Sequence, residues 1–294
     1  MSMAGQGGLK SKASRKGASS ASTRRLSRSA SVRAASSGKA DDESSSLVSK
    51  LKHAAMGLHT KSQSASGRKE EESSEPSEGS ESPEKSTFYR SGYIRFLVES
   101  KAVHDALEAA ISDYGYSDLE GTGLERAANL GEDLHWLATS CGDNVPEPLH
   151  DGPGLHYASL LTQLARDDPA RFVCHYYNLQ FAHASGGRMI GKMVSNSLFD
   201  GTSFRFYKYD SGLKSSLDCA RAAIDAIGNR WFDESAVQRC LDETPTAFDY
   251  GGTLLKFITQ PEGDEAAQLA NAEAEAEDSA DMPAATATVA AATA

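Results

Sequence analysis

The sequence predicts an all-α fold with a single folded domain, and three observations lead to this prediction. From about residue 90 to residue 258, apolar residues recur every three or four positions, which is the spacing of an amphipathic helix. No stretch there predicts a substantial sheet. Apart from one short amphipathic stretch at residues 47–61, the segments outside this range are polar or contain mostly small residues, so they cannot supply a second core. We therefore expect roughly seven helices in about 210 residues, packed as one helical bundle.

The segments outside this bundle have distinct compositions. Residues 1–40 contain nine Lys or Arg and no Asp or Glu, and they are rich in Ser, Ala and Gly. This composition predicts a plastid or mitochondrial transit peptide, with a basic arm that binds nucleic acid as the alternative. Residues 62–86 are polar and repetitive, so we predict a mobile acidic linker inside a folded domain of residues 41–260. Residues 261–294 carry eight acidic residues and no basic ones, which predicts a disordered tail.

The charge of the chain limits its partners. The whole sequence has a net charge of −11, and residues 41–294 contain 21 basic and 41 acidic residues. Such an acidic body argues against nucleic acid or an anionic membrane as a general partner. The last apolar run, residues 284–294, is too short to span a bilayer, so we expect a soluble protein without a membrane span. The four cysteines are widely separated, which predicts buried thiols in a reducing compartment.

The first predicted helix covers residues 47–61 and is amphipathic. His59 lies at the edge of its apolar face, one position after Leu58 and four after Ala55. A neutral imidazole in this position could ligate a metal or a heme iron. The alternative is a histidine at a helix C-terminus, where the helix dipole favours its charge.

The remaining helices are predicted from their apolar spacing and their caps. Residues 122–125 form a capping box that should begin a helix through Leu137, and prolines 153 and 169 should each begin another. Residues 204–209 are aromatic and short, so we expect an extended segment or a turn. The predicted helical ranges are 93–111, 122–137, 155–166, 169–198, 213–231 and 233–258, the last kinked at Pro245.

The helix that contains residues 175–194 is interrupted by Gly186 and Gly187. Each glycine inside a helix destabilises it by about 1 kcal/mol relative to Ala. A helix that keeps such glycines usually bends there or allows another group to approach its backbone. Packing is the alternative, because Gly187 and Gly191 are four residues apart on one face.

Helices of this kind can hold a di-iron site or a flat cofactor. A di-iron bundle needs two inward Glu-x-x-His motifs, but the second match, Glu147 to His150, lies among prolines in a loop, so only Glu132 to His135 fits. The alternative is a flat cofactor between two helices, ligated by His59 on one side and covered by glycine backbone on the other. Residues 186–221 contain six basic and three acidic residues. This excess predicts a basic patch that binds carboxylates or an acidic partner. A solvated helix face would show the same excess.

Several segments resemble the heme oxygenases of plant and algal plastids. They include LKHAAMGLHTK (51–61), FLVESKAVHDALE (96–108), FYKYD (206–210) and, most specifically, YNLQFAHASGGRMIGK (177–192). The resemblance covers roughly residues 47–259. It implies a monomer of the plastid stroma in which heme b, both cofactor and substrate, lies between a proximal helix and a glycine-kinked distal helix. The resemblance further implies that the ring is opened, with dioxygen and electrons from reduced ferredoxin, to biliverdin IXα, ferrous iron and carbon monoxide for bilin synthesis.

The resemblance also implies site residues. His59 matches the proximal heme ligand, with His53 as the weaker candidate. Lys52, Tyr177 and Arg221 match residues that bind the heme propionates. Two glycines match the distal residues whose backbone approaches bound dioxygen, namely Gly186 and Gly187. His183 stands where the animal and bacterial enzymes have an Asp that orders the distal water, so His183, or water that it holds, is expected to take that role.

Two other functions remain open at this stage. One is a non-catalytic heme carrier or a paralogue that senses tetrapyrroles, and the other is an all-α interaction protein with an inactive pocket. Paralogues of the first kind lose the proximal histidine, whereas His59 is present here, which favours an enzyme. Pro245 departs from the family pattern and bears on the packing of the last helix.

Overall fold

A computed structural model of the chain describes residues 46–58 and 87–280, with side chains as far as residue 271. Within these ranges the chain is helical and contains no strand, so the predicted all-α fold is confirmed. The α-helices of the described residues are α1 (Leu47–Leu58), α2 (Arg90–Asp113), α3 (Ala127–Trp136), α4 (Pro153–Asp167), α5 (Pro169–Ala182), α6 (Arg188–Leu198), α7 (Leu213–Trp231), α8 (Glu234–Asp242), α9 (Thr244–Leu255) and α10 (Gly263–Ala280). None of them is long and apolar enough to cross a bilayer.

Helix α2 runs through the core and packs closely on α4. Its fully buried Glu99 accepts hydrogen bonds from the backbone N–H groups of Leu149 and Gly154, at 2.8 and 2.9 Å. These bonds hold the loop before α4 and the first turn of α4 itself. Gly154 is required at this crossing, because a Cβ atom there would lie 2.4 Å from the Glu99 carboxylate.

Helix α3 begins later than the capping box predicts. Glu125 does accept the Thr122 N–H at 2.9 Å, but the chain then turns through Gly123, which has a φ of 83°. The helix starts only at Ala127, where Glu108 of α2 accepts the N–H groups of Arg126 and Ala127 at 2.6 and 2.8 Å. A carboxylate from a neighbouring helix therefore provides the cap.

The later helices follow the predicted order. Prolines at the first turns of α4 and α5 confirm the predicted helix starts, and α7 has the predicted bounds. The helix predicted over residues 233–258 divides at Glu243 into α8 and α9, just before Pro245, because proline cannot continue the hydrogen-bond ladder. Residues 205–207 form a 3-10 turn, in agreement with the short aromatic segment.

The beginning of the acidic tail differs from the predicted disorder. Residues 263–280 form α10, and acidic residues at its start bind the first turns of α2. Glu265 accepts the Ser91 N–H at 2.9 Å, and Glu262 pairs with Arg95 at 2.9 Å. The unpaired N–H groups and dipole of a helix start favour such carboxylates. The predicted transit peptide (1–40), the linker (62–86) and the end of the tail lie outside the described residues.

Candidate functional site

The predicted interruption of the central helix is a single π turn, His183–Gly187, between α5 and α6. Such π turns frequently occur at functional sites in helices. Apart from its chain neighbours and the backbone of its own helix, no described atom lies within 4 Å of the position that a Gly186 Cβ atom would occupy. A Cβ atom on Gly187 would lie 3.2 Å from Nδ1 of His183. The turn therefore leaves open space at Gly186 and holds an imidazole nitrogen next to Gly187.

His183 is buried and held by the 3-10 turn that follows α6. Its Nε2 lies 2.9 Å from the Phe206 carbonyl oxygen, and its ring stacks on Phe206 at 4.0 Å and on Tyr207 at 5.2 Å between centroids. Burial lowers the pKa of His183 to about 3. The imidazole is thus neutral at physiological pH, and because a carbonyl only accepts, Nε2 carries the proton. Nδ1 is left as an acceptor next to Gly187.

Because His183 is buried in its neutral form, we expect the folded protein to lose stability in mild acid. The unfolded chain binds a proton at His183 near its ordinary pKa of 6.5, whereas the folded chain does not until about 3. The free energy of unfolding should therefore fall by about 2 kcal/mol from pH 7 to pH 5 through this residue alone. Urea unfolding of the wild type and of His183→Asn at both pH values measures the effect. An equal pH dependence in both proteins would contradict it.

The 3-10 turn that contacts His183 is held by side chains of α3 and of the residue before it. Both carboxylate oxygens of buried Asp133 accept backbone N–H groups, one from Arg205 and one from Phe206, each at 2.8 Å. Buried Arg126 donates to the carbonyl oxygens of Phe206 and Lys208. Because three side chains meet at the backbone of this turn, the Phe206 carbonyl has a fixed direction.

Tyr207 packs directly on α6. A Cβ atom on Gly191 would lie 2.3 Å from the Tyr207 ring, so at this position the glycine serves packing. The Tyr207 hydroxyl lies 3.2 Å from that of Tyr93 on α2. The packing interpretation is therefore right for Gly191, whereas Gly186 contacts nothing that would exclude a side chain.

Two residues that the sequence analysis did not single out belong to this cluster. Asp133 lies within the Glu132 to His135 motif, both ends of which are exposed. His104 is buried, lies 5.6 Å from Phe206 edge to face, and its Nδ1 has no hydrogen-bond partner among the described residues. Burial lowers its pKa well below the ordinary value. No local motif marks either residue, because the turn that contacts them is distant in sequence.

The residues predicted to bind the propionates lie on α1, α5 and α7. Val48 N–H donates to Asp225 at 2.9 Å, and the Cβ position of Gly228 lies against Leu47, so the first turn of α1 packs on residues 225–228 of α7. Lys52 lies one turn after Val48, and Arg221 lies one turn before Asp225.

Tyr177 joins this group from the central helix. Its ring stacks on Phe181 at 4.5 Å, and the Arg221 guanidinium lies 5.4 Å from the same Phe181 ring. The structure thus brings Tyr177 and Arg221 to one aromatic side chain of α5. The predicted ligand His59 lies just outside the described residues. His53, the weaker candidate, is exposed and bonds the Ser49 carbonyl oxygen through Nδ1 at 2.8 Å.

Two cavities flank α6. One, of about 180 Å³, is apolar and lies towards α9, lined by Phe88, Met189, Ile190, Met193, Leu255, Ile258 and Thr259. The other, of about 570 Å³, lies on the opposite face, under residues 201–213, and includes Lys192 and Lys208 in its lining. Tyr207 lines this larger cavity and also stacks on His183, so it separates the cavity from the π turn.

The basic patch predicted from the sequence is smaller in the structure. Arg188 is buried, Arg205 pairs with Glu132, and Lys214 and Arg221 both pair with Asp218. Lys208 is exposed and Lys192 is half-buried, and both line the larger cavity. Within the described residues, no group of three His, Cys, Asp or Glu side chains could hold a metal ion, so a di-iron site has no support there.

The chain is similar to heme oxygenases over most of its length. The family model described as heme oxygenase matches residues 49–256. Heme oxygenase 1, chloroplastic, of Arabidopsis thaliana is 40% identical over 220 residues, which are 74% of this chain and 75% of the relative. Heme oxygenase 1, chloroplastic, of Oryza sativa subsp. japonica is 38% identical over 74% of this chain and 72% of its own length.

More distant similarities include a relative with a different description and two solved structures. The probable inactive heme oxygenase 2, chloroplastic, of Oryza sativa is 34% identical over 57% of this chain and 50% of its own length. The crystal structure of heme oxygenase-1 from the cyanobacterium Synechocystis, in complex with heme, matches with a TM-score of 0.55 at 18% identity, over 81% of this chain and all of that one. The structure of heme oxygenase 2 from Chlamydomonas reinhardtii without heme gives a TM-score of 0.53 at 20% identity, over 73% and 99% of the two chains.

Proposed function

Because the chain belongs to the heme oxygenase family, we propose that it is an active plastid enzyme of the stroma that opens heme to biliverdin IXα, ferrous iron and carbon monoxide. One observation carries the proposal. The π turn leaves open space at the Gly186 Cβ position and holds the acceptor nitrogen of a neutral His183 next to Gly187. This pair provides both the space and the hydrogen-bonding group that the distal side of a heme pocket needs.

In this proposal heme lies between α1 and the π turn. The Tyr177 and Arg221 side chains both contact the Phe181 ring. Together with Lys52 of α1 they would bind the propionates, because two cations and a hydroxyl group suit carboxylates. His59, one residue beyond the described end of α1, would ligate the iron. When bound, heme supplies the metal that activates dioxygen and is itself the carbon framework that is cleaved.

The protein residues have separate roles in this proposal. Lys52, Tyr177 and Arg221 orient the ring within the pocket, which selects the edge that lies under the π turn and hence the IXα isomer. Gly186 and Gly187 allow the backbone to come close to the distal face. His183 accepts a hydrogen bond from a distal water at Nδ1, so that the second O–H of that water points into the pocket.

We further propose that reduced ferredoxin is the electron donor. Lys192 and Lys208 line the larger cavity beside α6, and Lys208 is exposed there. Ferredoxins are acidic, and complementary charge would steer such a partner to this face. The similarity to chloroplastic relatives is consistent with a plastid electron donor.

The second candidate is a non-catalytic paralogue, because two chloroplastic relatives carry the description probable inactive. They cover 57% and 58% of this chain at 34% and 30% identity, compared with 74% at 38–40% for the chloroplastic heme oxygenase 1 relatives. The presence of His59 in the sequence also favours the enzyme. The alternative would bind heme and leave it intact.

The proposal is tested by adding heme to the full chain and recording spectra with dioxygen, ferredoxin and a ferredoxin-reducing system. We expect a Soret band that is replaced by the spectrum of biliverdin, and no conversion when ferredoxin is omitted. His59→Ala should remove the proximal ligation and lower turnover at least about 100-fold, because the iron loses its protein ligand. A stable Soret band in the wild type would instead support the non-catalytic paralogue.

His53→Ala is the matched control for this experiment. His53 lies on the same helix but is exposed and bonds only the backbone of Ser49 among the described residues. Its replacement should leave both the Soret band and turnover at wild-type values. Loss of ligation in His53→Ala together with wild-type ligation in His59→Ala would reverse the assignment of the proximal ligand.

A further inference from the structure

The position of His183 depends on a carboxylate that it does not touch. Asp133, on α3, accepts the backbone N–H groups of Arg205 and Phe206 at 2.8 Å each. The Phe206 carbonyl oxygen in turn lies 2.9 Å from Nε2 of His183. We propose that Asp133 is a positioning residue that determines which imidazole nitrogen of His183 carries the proton. The catalytic meaning of this inference rests on the proposed function, whereas the positioning itself can be tested without heme.

An aspartate is suited to this place for a chemical reason. Its two oxygens accept hydrogen bonds and donate none when ionised, so they can satisfy two adjacent backbone N–H groups together. An asparagine of the same shape presents one oxygen and one NH₂ group, and the NH₂ group would face an N–H donor. Asp133 is buried, so water cannot replace the lost acceptor. Replacing it with Asn therefore releases one end of the turn.

The turn passes this constraint on to the imidazole. With both amides held, the Phe206 carbonyl points at His183, and the Phe206 ring stacks 4.0 Å from the imidazole. A carbonyl oxygen can only accept, so a correctly placed Phe206 selects the tautomer with the proton on Nε2. If the carbonyl turns away, this selection is lost and Nδ1 can carry the proton.

The two tautomers have opposite effects beside Gly187. A Cβ atom on Gly187 would lie 3.2 Å from Nδ1 of His183, so this nitrogen is on the side of the imidazole next to Gly187. As an acceptor, Nδ1 turns one proton of a bound water towards itself and leaves the other for the pocket. As a donor, it would reverse that water and remove the donated hydrogen bond. Asp133 thus acts on the pocket through two intervening residues.

The test uses the heme-free full chain with ¹⁵N-labelled histidine, in which NMR identifies the protonated nitrogen of each imidazole. In the wild type, His183 should show a protonated Nε2 and an unprotonated Nδ1 throughout the neutral pH range. A protonated Nδ1 in the wild type would overturn the proposal, and this measurement requires no variant. In Asp133→Asn we expect a mixture of the two tautomers, and in Asp133→Glu, which retains both acceptor oxygens, a return towards the wild-type signal.

Glu132→Gln is the matched control. Glu132 is the adjacent residue of α3 and contacts the same turn, but through the exposed side chain of Arg205. Its replacement should leave the His183 signals unchanged. A folded Asp133→Asn protein with the wild-type tautomer, or an equal change in Glu132→Gln, would refute the proposal.

The heme-loaded proteins add a readout of the distal water. In Asp133→Asn, the pKa of the ferric water-to-hydroxide transition should shift, and kcat should fall about tenfold with an unchanged affinity for heme, as is typical for residues that orient a group in the pocket. A protein that never turns over heme, but shows the expected tautomers, would refute the proposed function and retain the positioning role. Unchanged spectral titration with altered tautomers would show that His183 does not contact the distal water.

Discussion

Gly186→Leu is expected to abolish heme turnover while the fold is retained. Gly186 lies in the π turn, and apart from its chain neighbours and the backbone of its own helix, no described atom is within 4 Å of its Cβ position. A side chain therefore fits the protein but occupies the space that the distal face of heme requires in the proposed function. A displacement of about 1 Å at a reacting centre can lower a rate about 100-fold, and a leucine side chain extends further than that. We expect kcat to fall at least about 100-fold.

A side chain at residue 186 should not weaken the fold, and the smaller variant Gly186→Ala tests this. Gly186 is not among the residues with a positive φ, so an L-amino acid can adopt its backbone conformation. Replacing a helical glycine with Ala usually stabilises a helix by up to about 1 kcal/mol. Thermal unfolding of Gly186→Ala should thus show an equal or higher melting temperature. A glycine kept at a position where Ala would be more stable indicates a functional requirement.

Gly131→Ala is the control for the Gly186 variants. Gly131 is also inside a helix, and its Cβ atom would meet only the flexible end of Lys101 at 3.3 Å. We expect Gly131→Ala to change the melting temperature about as much as Gly186→Ala does. Its heme turnover should equal that of the wild type. Wild-type turnover in Gly186→Leu, measured as biliverdin formed per heme, would show that the π turn does not cover the heme.

Much of the fold could be predicted from the sequence because its signals are local. The apolar spacing of residues 213–231 and the proline at residue 169 each act within one or two helical turns, and the structure confirms both helices. The start of α3 was predicted wrongly because its cap comes from Glu108, on another helix. The helix at residues 263–280 was missed because Glu265 acts on the distant first turn of α2.

The candidate site divides in the same way. The adjacent glycines mark the interruption of the central helix, which the structure confirms as a π turn. No local pattern identifies Asp133. Its role depends on a hydrogen bond between α3 and the backbone of Arg205, which is 72 residues away in the sequence. Spacing also could not distinguish the surface residue Lys208 from the buried Arg188 within the predicted basic patch.

Gly191→Val should have the largest effect on stability among the glycine variants of this region. A Cβ atom at residue 191 would lie 2.3 to 2.7 Å from three atoms of the Tyr207 ring. The ring cannot move aside easily, because it stacks on His183 and its hydroxyl contacts that of Tyr93. Overpacking of a core typically lowers the free energy of unfolding by about 1–3 kcal/mol, and we expect about 3 kcal/mol here. Urea unfolding measures the change.

A double-mutant cycle identifies the cause of this loss. Tyr207→Leu removes the ring, so it should lower stability by itself through the cavity that it leaves. If the clash with the ring is the cause, Gly191→Val should cost much less in the Tyr207→Leu background, with a coupling of at least about 1 kcal/mol. Additive effects would show that Gly191 is required for another reason.

Because Tyr207 also contacts His183, the single variant Gly191→Val should in addition disturb the imidazole, whereas Gly186→Ala leaves this packing intact. The two glycines, five residues apart, would then be separated experimentally into one that admits a ligand and one that admits a neighbouring ring.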